Sequence, residues 1–167
     1  MKLSHTKLVV LSGLVWFAVG IYLLQLGLGL LVDSANAAAL GVHYPLLKSL
    51  TPYLGDAQAV VLLLVVVALF VGYMKGRHVL GKSAQRGVDR IRAFPDPAPL
   101  KNIYSPKYYI LLGLMVALGV SIKFFGVSND IRGFVDTIIG AALINGAMVY
   151  FKLASALKPA VIDAKKD

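Results

Sequence analysis

The chain contains no cysteine and no glutamate. The first absence excludes disulfide staples, thiol chemistry, thiolate metal sites and iron–sulfur clusters. Charge is scarce as well: only 15% of the 167 residues are charged, and all eight acids are Asp. Catalytic patterns are missing too. There is no His-Glu-x-x-His, no Ser/His/Asp grouping and no carboxylate pair deep in an apolar stretch, so metal-assisted hydrolysis, acyl transfer and paired-acid catalysis lack their residues. His5 and His78 fall on the expected inner side and His43 on the outer, a poor set for haem held between helices. No cofactor and no metal are expected.

What the sequence holds in excess is apolar length. The hydrophobic fraction is 58% and the mean hydropathy +0.76, well above a soluble domain. Charges sit in blocks between apolar runs, and a soluble core cannot cover such runs on every side. Four segments stand out: 8–32, 57–74, 108–125 and 134–151. Each approaches or exceeds the ~20 residues that cross a hydrocarbon core of ~30 Å. The expected fold is an all-α membrane protein, one domain over 1–167, with four transmembrane helices, an outer loop at 33–56 and a basic inner loop at 75–107. Lys2 and Lys7 before the first run suggest a signal peptide, but its apolar core would be about 7–15 residues. The first run has 25, so it reads as a retained anchor.

The net charge of +9 is placed asymmetrically. Of the 17 basic residues, 14 precede the first span, fill the inner loop or follow the fourth span. By the positive-inside rule both termini are cytoplasmic, in a multi-pass protein of the inner (plasma) membrane. Leu80, Ala84, Val88 and Ile91 recur at helical spacing, with Lys82, Arg86, Arg90 and Arg92 around the other face. That amphipathic stretch is expected to meet anionic lipid headgroups. No separate basic domain exists to grip a duplex, so nucleic acid is not an expected partner. In the outer loop, Leu46, Leu47, Leu50 and Leu54 predict a short interfacial helix or lid.

Helices in lipid associate through close packing and interhelical hydrogen bonds, so small residues mark contacts. Gly13, Gly20 and Gly27 recur every seven residues, as do Gly133, Gly140 and Ala147; Gly72 and Gly76 form a GxxxG, and Gly146 adds a further small position. Heptad spacing keeps such residues on one seam. The two hairpins also align with each other: Asp56, Ala68, Leu69, Gly72 and Met74 match Asp130, Ala142, Leu143, Gly146 and Met148 at constant spacing. That pattern suggests two parallel hairpin repeats.

Two motifs invite a chemical reading. Gly76 to Ser83 fits the P-loop pattern letter for letter, but the mechanism needs a strand, a loop and a helix in an α/β domain, and this stretch follows a membrane span. It is a coincidence of letters. The intramembrane polar set, Lys123, Asp130, Arg132, Asp136 and Asn145, is the better candidate, because an ionisable group among apolar neighbours is a functional candidate by default. A Lys123–Asp136 ion pair is expected to tie the last hairpin, with Asp130 and Arg132 in the turn before it and Asn145 as glue between helices.

The run 130–136 followed by 142–148 resembles small bacterial four-helix membrane proteins, and the last hairpin is loosely similar to phosphate-starvation-inducible PsiE-type proteins. Neither resemblance implies a known activity. The expected function is a non-enzymatic assembly: a homo-oligomer or an accessory subunit of a membrane complex. The alternatives are a small transporter or channel using the polar set, and an intramembrane enzyme or lipid- or quinone-binding protein.

Overall fold

The computed structural model describes residues 2–93, 98–99 and 126–157. The third expected span, 108–125, lies outside the described residues, and Lys123 with it. The elements are α1 (His5–Ala39), α2 (Pro45–Leu54), α3 (Ala57–Lys75), a π turn (Gly76–Leu80), α4 (Gly81–Arg92) and α5 (Asn129–Ala156). Lys2–Leu3 (β1) pairs antiparallel with Ala98–Pro99 (β2). Among the described residues, three helical stretches are long and apolar enough to cross a membrane: α1, the continuous run Ala57–Arg92, and α5.

Each helix outruns the apolar window that announced it. α1 continues through Asp33 to Ala39, so the first turns of the expected outer loop are helical. The stop comes where Gly41 takes a φ of +88°, a backbone region open to glycine. α2 starts with Pro45, whose fixed φ suits a first turn and whose missing amide costs nothing there. Asp56 caps α3 by accepting from the Ala59 amide at 2.6 Å. α5 begins at Asn129, so Asp130 and Arg132 are in its first turn and not in a preceding loop.

α1 and α5 run antiparallel, their backbones in contact along the glycine seam. A methyl group on Gly27 would lie 2.5 Å from the Thr137 amide nitrogen and 2.7 Å from the Gly133 carbonyl oxygen. One on Gly140 would lie 2.5 Å from the Leu24 nitrogen and 2.8 Å from the Gly20 carbonyl oxygen. Gly13 meets Tyr150 and Phe151. The two heptad rows therefore face each other in opposite directions, Gly13, Gly20 and Gly27 against the far, middle and near thirds of α5. Beside the seam, Trp16 packs edge-on against Tyr150 at 5.4 Å and Phe17 against Phe151 at 6.2 Å, geometries that the ring quadrupoles favour.

α3 runs parallel to α5 and uses the second glycine pair. Gly72 sits on Ile138 and Ala141, and Gly76 on Ala142 and Asn145. Four-residue steps carry this contact face down α3 through Val60, Leu64, Ala68, Gly72 and Gly76. At the π turn the Gly81 amide bonds the Gly76 carbonyl, one residue further back than in an α-helix. The buried face thus steps five residues to Gly81 and resumes at Ala84, Val88 and Ile91. These side chains close a core at one end of the bundle with Leu8, Val9, Tyr150 and Ala154. α4 therefore packs upright as a third wall, with Lys82, Arg86, Arg90 and Arg92 exposed. At the other end Leu31, Ala35, Leu47, Val60, Val61 and Leu64 form a second core beneath α2.

Gly27 and Gly29 give a direct contrast, because nothing lies within 4 Å of a methyl group on Gly29. Gly27→Ala should lower the melting temperature in detergent, at a cost of about 1–3 kcal/mol for forcing packed backbones apart. Gly29→Ala should leave it unchanged; equal effects would contradict the seam.

Candidate functional site

The described members of the polar set gather on the first half of α5, where each meets a different neighbour. Asp130 is fully buried. Its Oδ2 accepts hydrogen bonds from the Leu46 amide at 2.7 Å and the Leu47 amide at 3.3 Å. Its Oδ1 accepts from the Ile131 amide at 2.8 Å and the Ser128 hydroxyl at 2.5 Å. The first turn of α2 has orphan amides, and its own cap position holds Tyr44, which makes no side-chain capping bond. Asp130 supplies that cap from 84 residues away. Its negative charge also lies at the positive end of the α2 and α5 dipoles.

Arg132 and Asp136 are one helical turn apart, with Nε 3.6 Å from Oδ2. The expected partner of Asp136, Lys123, lies outside the described residues; the described partner is on the same helix. Asn145 donates from Nδ2 to the Ala141 carbonyl at 2.8 Å. The expected hydrogen bond between helices is thereby replaced by one within α5, while its Cβ packs under Gly76.

Other buried polar groups follow the same rule. The hydroxyls of Ser12, Ser34 and Thr137 donate to the carbonyls of Leu8, Leu30 and Gly133, each four residues back. Back-bonding of this kind satisfies a hydroxyl inside an apolar bundle without a second helix. The P-loop letters are likewise spent, since Gly76 and Gly81 both have right-handed helical φ and ψ, and amides bonded within a helix cannot cradle phosphate. His78 Nδ1 lies 3.0 Å from the Met74 carbonyl oxygen. Among the described residues no group of three His, Cys, Asp or Glu side chains could hold a metal ion.

The glycines expected at packing contacts all sit there. Gly146, which belongs to neither heptad row, packs on Trp16 and Leu80 and so joins α1, α5 and the π turn. The residues missed by sequence reasoning are the acceptor role of Asp130 and the amides of Leu46 and Leu47. A signal existed: α2 opens with Tyr-Pro and no Ser, Thr, Asp or Asn at its cap, so its cap had to come from elsewhere.

Comparison with known proteins brings no relative to bear on this site: no family model, no curated protein and no solved structure matches the chain.

The Arg132–Asp136 pair is one helical turn long, and its coupling should be modest. A double-mutant cycle with Arg132→Gln and Asp136→Asn, read as thermal stability in detergent, should give about 0.3–1 kcal/mol. A coupling several times larger would mark the pair as part of a wider charged network.

Proposed function

We propose that the chain is a four-span protein of the inner (plasma) membrane, with both termini cytoplasmic, that works by assembly and not by catalysis. The supporting observation is that the described polar candidates are engaged in bonds that hold the chain together. Asp130 caps α2, Arg132 pairs with Asp136, and Asn145 bonds its own helix. What remains for the surroundings is apolar: Tyr22 on α1 and Leu62, Val66 and Phe70 on α3 are well exposed, as lipid or a neighbouring membrane helix requires.

A fourth span is supported by direction. α3 and α5 run parallel, so Arg92 and Asn129 fall at opposite ends of the bundle. Ala98–Pro99 pairs with Lys2–Leu3 at the end where α1 begins. The chain between Pro99 and Gly126 has to return, and 108–125 is its apolar stretch. At ~1.5 Å per residue, 18 helical residues span about 27 Å. Two parallel hairpin repeats fit the same directions.

Orientation rests on charge. Lys7, Lys82, Arg86, Arg90, Arg92 and Lys152 are exposed toward the end where α1 begins, with Asp89 the single acid on α4. Positive residues of this density favour the cytoplasmic leaflet and its anionic headgroups. Transport through the second hairpin is the runner-up, and it rests on the Arg132–Asp136 pair.

Tags at either terminus or at Gln85 should report the cytoplasm, and a tag at Ser49 the outer compartment. The purified protein should elute as an oligomer or with a stoichiometric partner, and liposomes containing it should show no solute flux. A partner-free monomer that conducts solute would overturn the assembly reading. A cytoplasmic tag at Ser49 would overturn the topology.

A further inference from the structure

We propose that α2 is a hinged lid over the outer end of the bundle, with the Asp130 carboxylate as its latch. The inference goes beyond the assembly reading and does not depend on it.

The hinges are Gly41 and Gly55, which flank α2 with φ of +88° and +92° and where a methyl group would meet nothing within 4 Å. Glycine at both ends lets the backbone swing through conformations that other residues resist. Between them α2 has two kinds of hold on the rest of the chain. One is apolar, centred on Leu47, which is 2% exposed and packs with Leu31, Val60 and Leu64. The other is the pair of amide bonds to Asp130.

Beneath and beside the helix runs an open groove of about 780 Å³, lined in part by Ala35, Val42, Tyr44, Leu47, Thr51 and Ala57. The helix already borders a volume that it does not fill. Lifting α2 away would join this groove to the apolar floor made by Leu31, Ala35, Val60, Val61 and Leu64.

The latch differs from an ordinary cap in what it couples. A side chain that caps its own helix travels with it, as Asp56 does on α3. Asp130 sits in the first turn of α5, the helix that carries both glycine contacts. Release of the two bonds therefore leaves α2 held by the Leu47 contact alone, and lifting it leaves the α1–α5 seam and the α3–α5 contact closed. A charged acceptor gives those bonds more strength than neutral ones, which sets one discrete step between shut and open.

The native chain has no cysteine, so single cysteines report without background. Full-length protein in detergent carries Leu47→Cys on the buried face of the lid or, as a core control, Leu143→Cys, and is reacted with N-ethylmaleimide. Cysteine at 47 should react faster than cysteine at 143, because only the lid opens. Asp130→Ala should accelerate reaction at 47 about tenfold or more, the scale of losing charged hydrogen bonds, and leave reaction at 143 unchanged. If that variant fails to fold, Asp130→Asn keeps an acceptor oxygen, loses the charge, and should give a smaller acceleration. Equal rates at 47 and 143 in the native background would overturn the lid. Unchanged reaction at 47 in both Asp130 variants would overturn the latch, and equal acceleration at both sites would make Asp130 a support of the whole bundle.

Discussion

Where two helical backbones touch, there is no room for a side chain between them, and in lipid that contact is one of the few sources of cohesion, since apolar burial gives no advantage over acyl chains. The α1–α5 approach imposes this condition through Gly27 on Gly133 and Gly20 on Gly140. The other described helices are arranged around α5. α3 reaches it through Gly72 and Gly76, α4 through the side chains that follow the π turn, and α2 through Asp130. About half of the membrane-length window of α5 is buried inside the chain, against a third or less for the other two. α5 is the axle, and the others are fitted to it.

This organisation explains how polar groups are tolerated. Inside the bundle the hydroxyls of Ser12, Ser34 and Thr137 and the amide of Asn145 donate to carbonyls four residues back on their own helices. Asp130 reaches across to another helix, because the first turn of α2 presents bare amides to it. A residue that reads as an intramembrane charge thus acts as a structural acceptor at the rim of the bundle. The same economy leaves the outward faces of α1 and α3 apolar and the far face of α4 basic.

The seam was legible because steric demand leaves a mark in the sequence: only small residues fit, and they recur at seven. The amphipathic face of α4 was legible for a similar reason, since Ala84, Val88 and Ile91 are buried at helical spacing. Helix ends were not, because hydropathy follows the apolar window while helices continue as long as hydrogen bonds and packing allow. Taking the fourth span as 134–151 turned Arg132 into a loop residue and hid its one-turn pairing with Asp136. The π turn also left no compositional sign; it is required by register between α4 and its neighbours. Asp130 was recognised as unusual, but a cap donated across 84 residues has no local signature except the uncapped Tyr-Pro start it serves.

The antiparallel seating of α1 on α5 is what the rest rests on, and distances between spin labels test it most directly. Cysteines introduced at Lys7, Asn129 and Lys152, all exposed positions, carry the labels in pairs. The structure requires the 7–152 pair to lie within about 20 Å and the 7–129 pair beyond about 30 Å, since α5 alone separates 129 from 152 by roughly 35 Å. The reverse order, with Lys7 nearer Asn129, would mean that α1 and α5 run parallel, and the glycine seam as described would not exist.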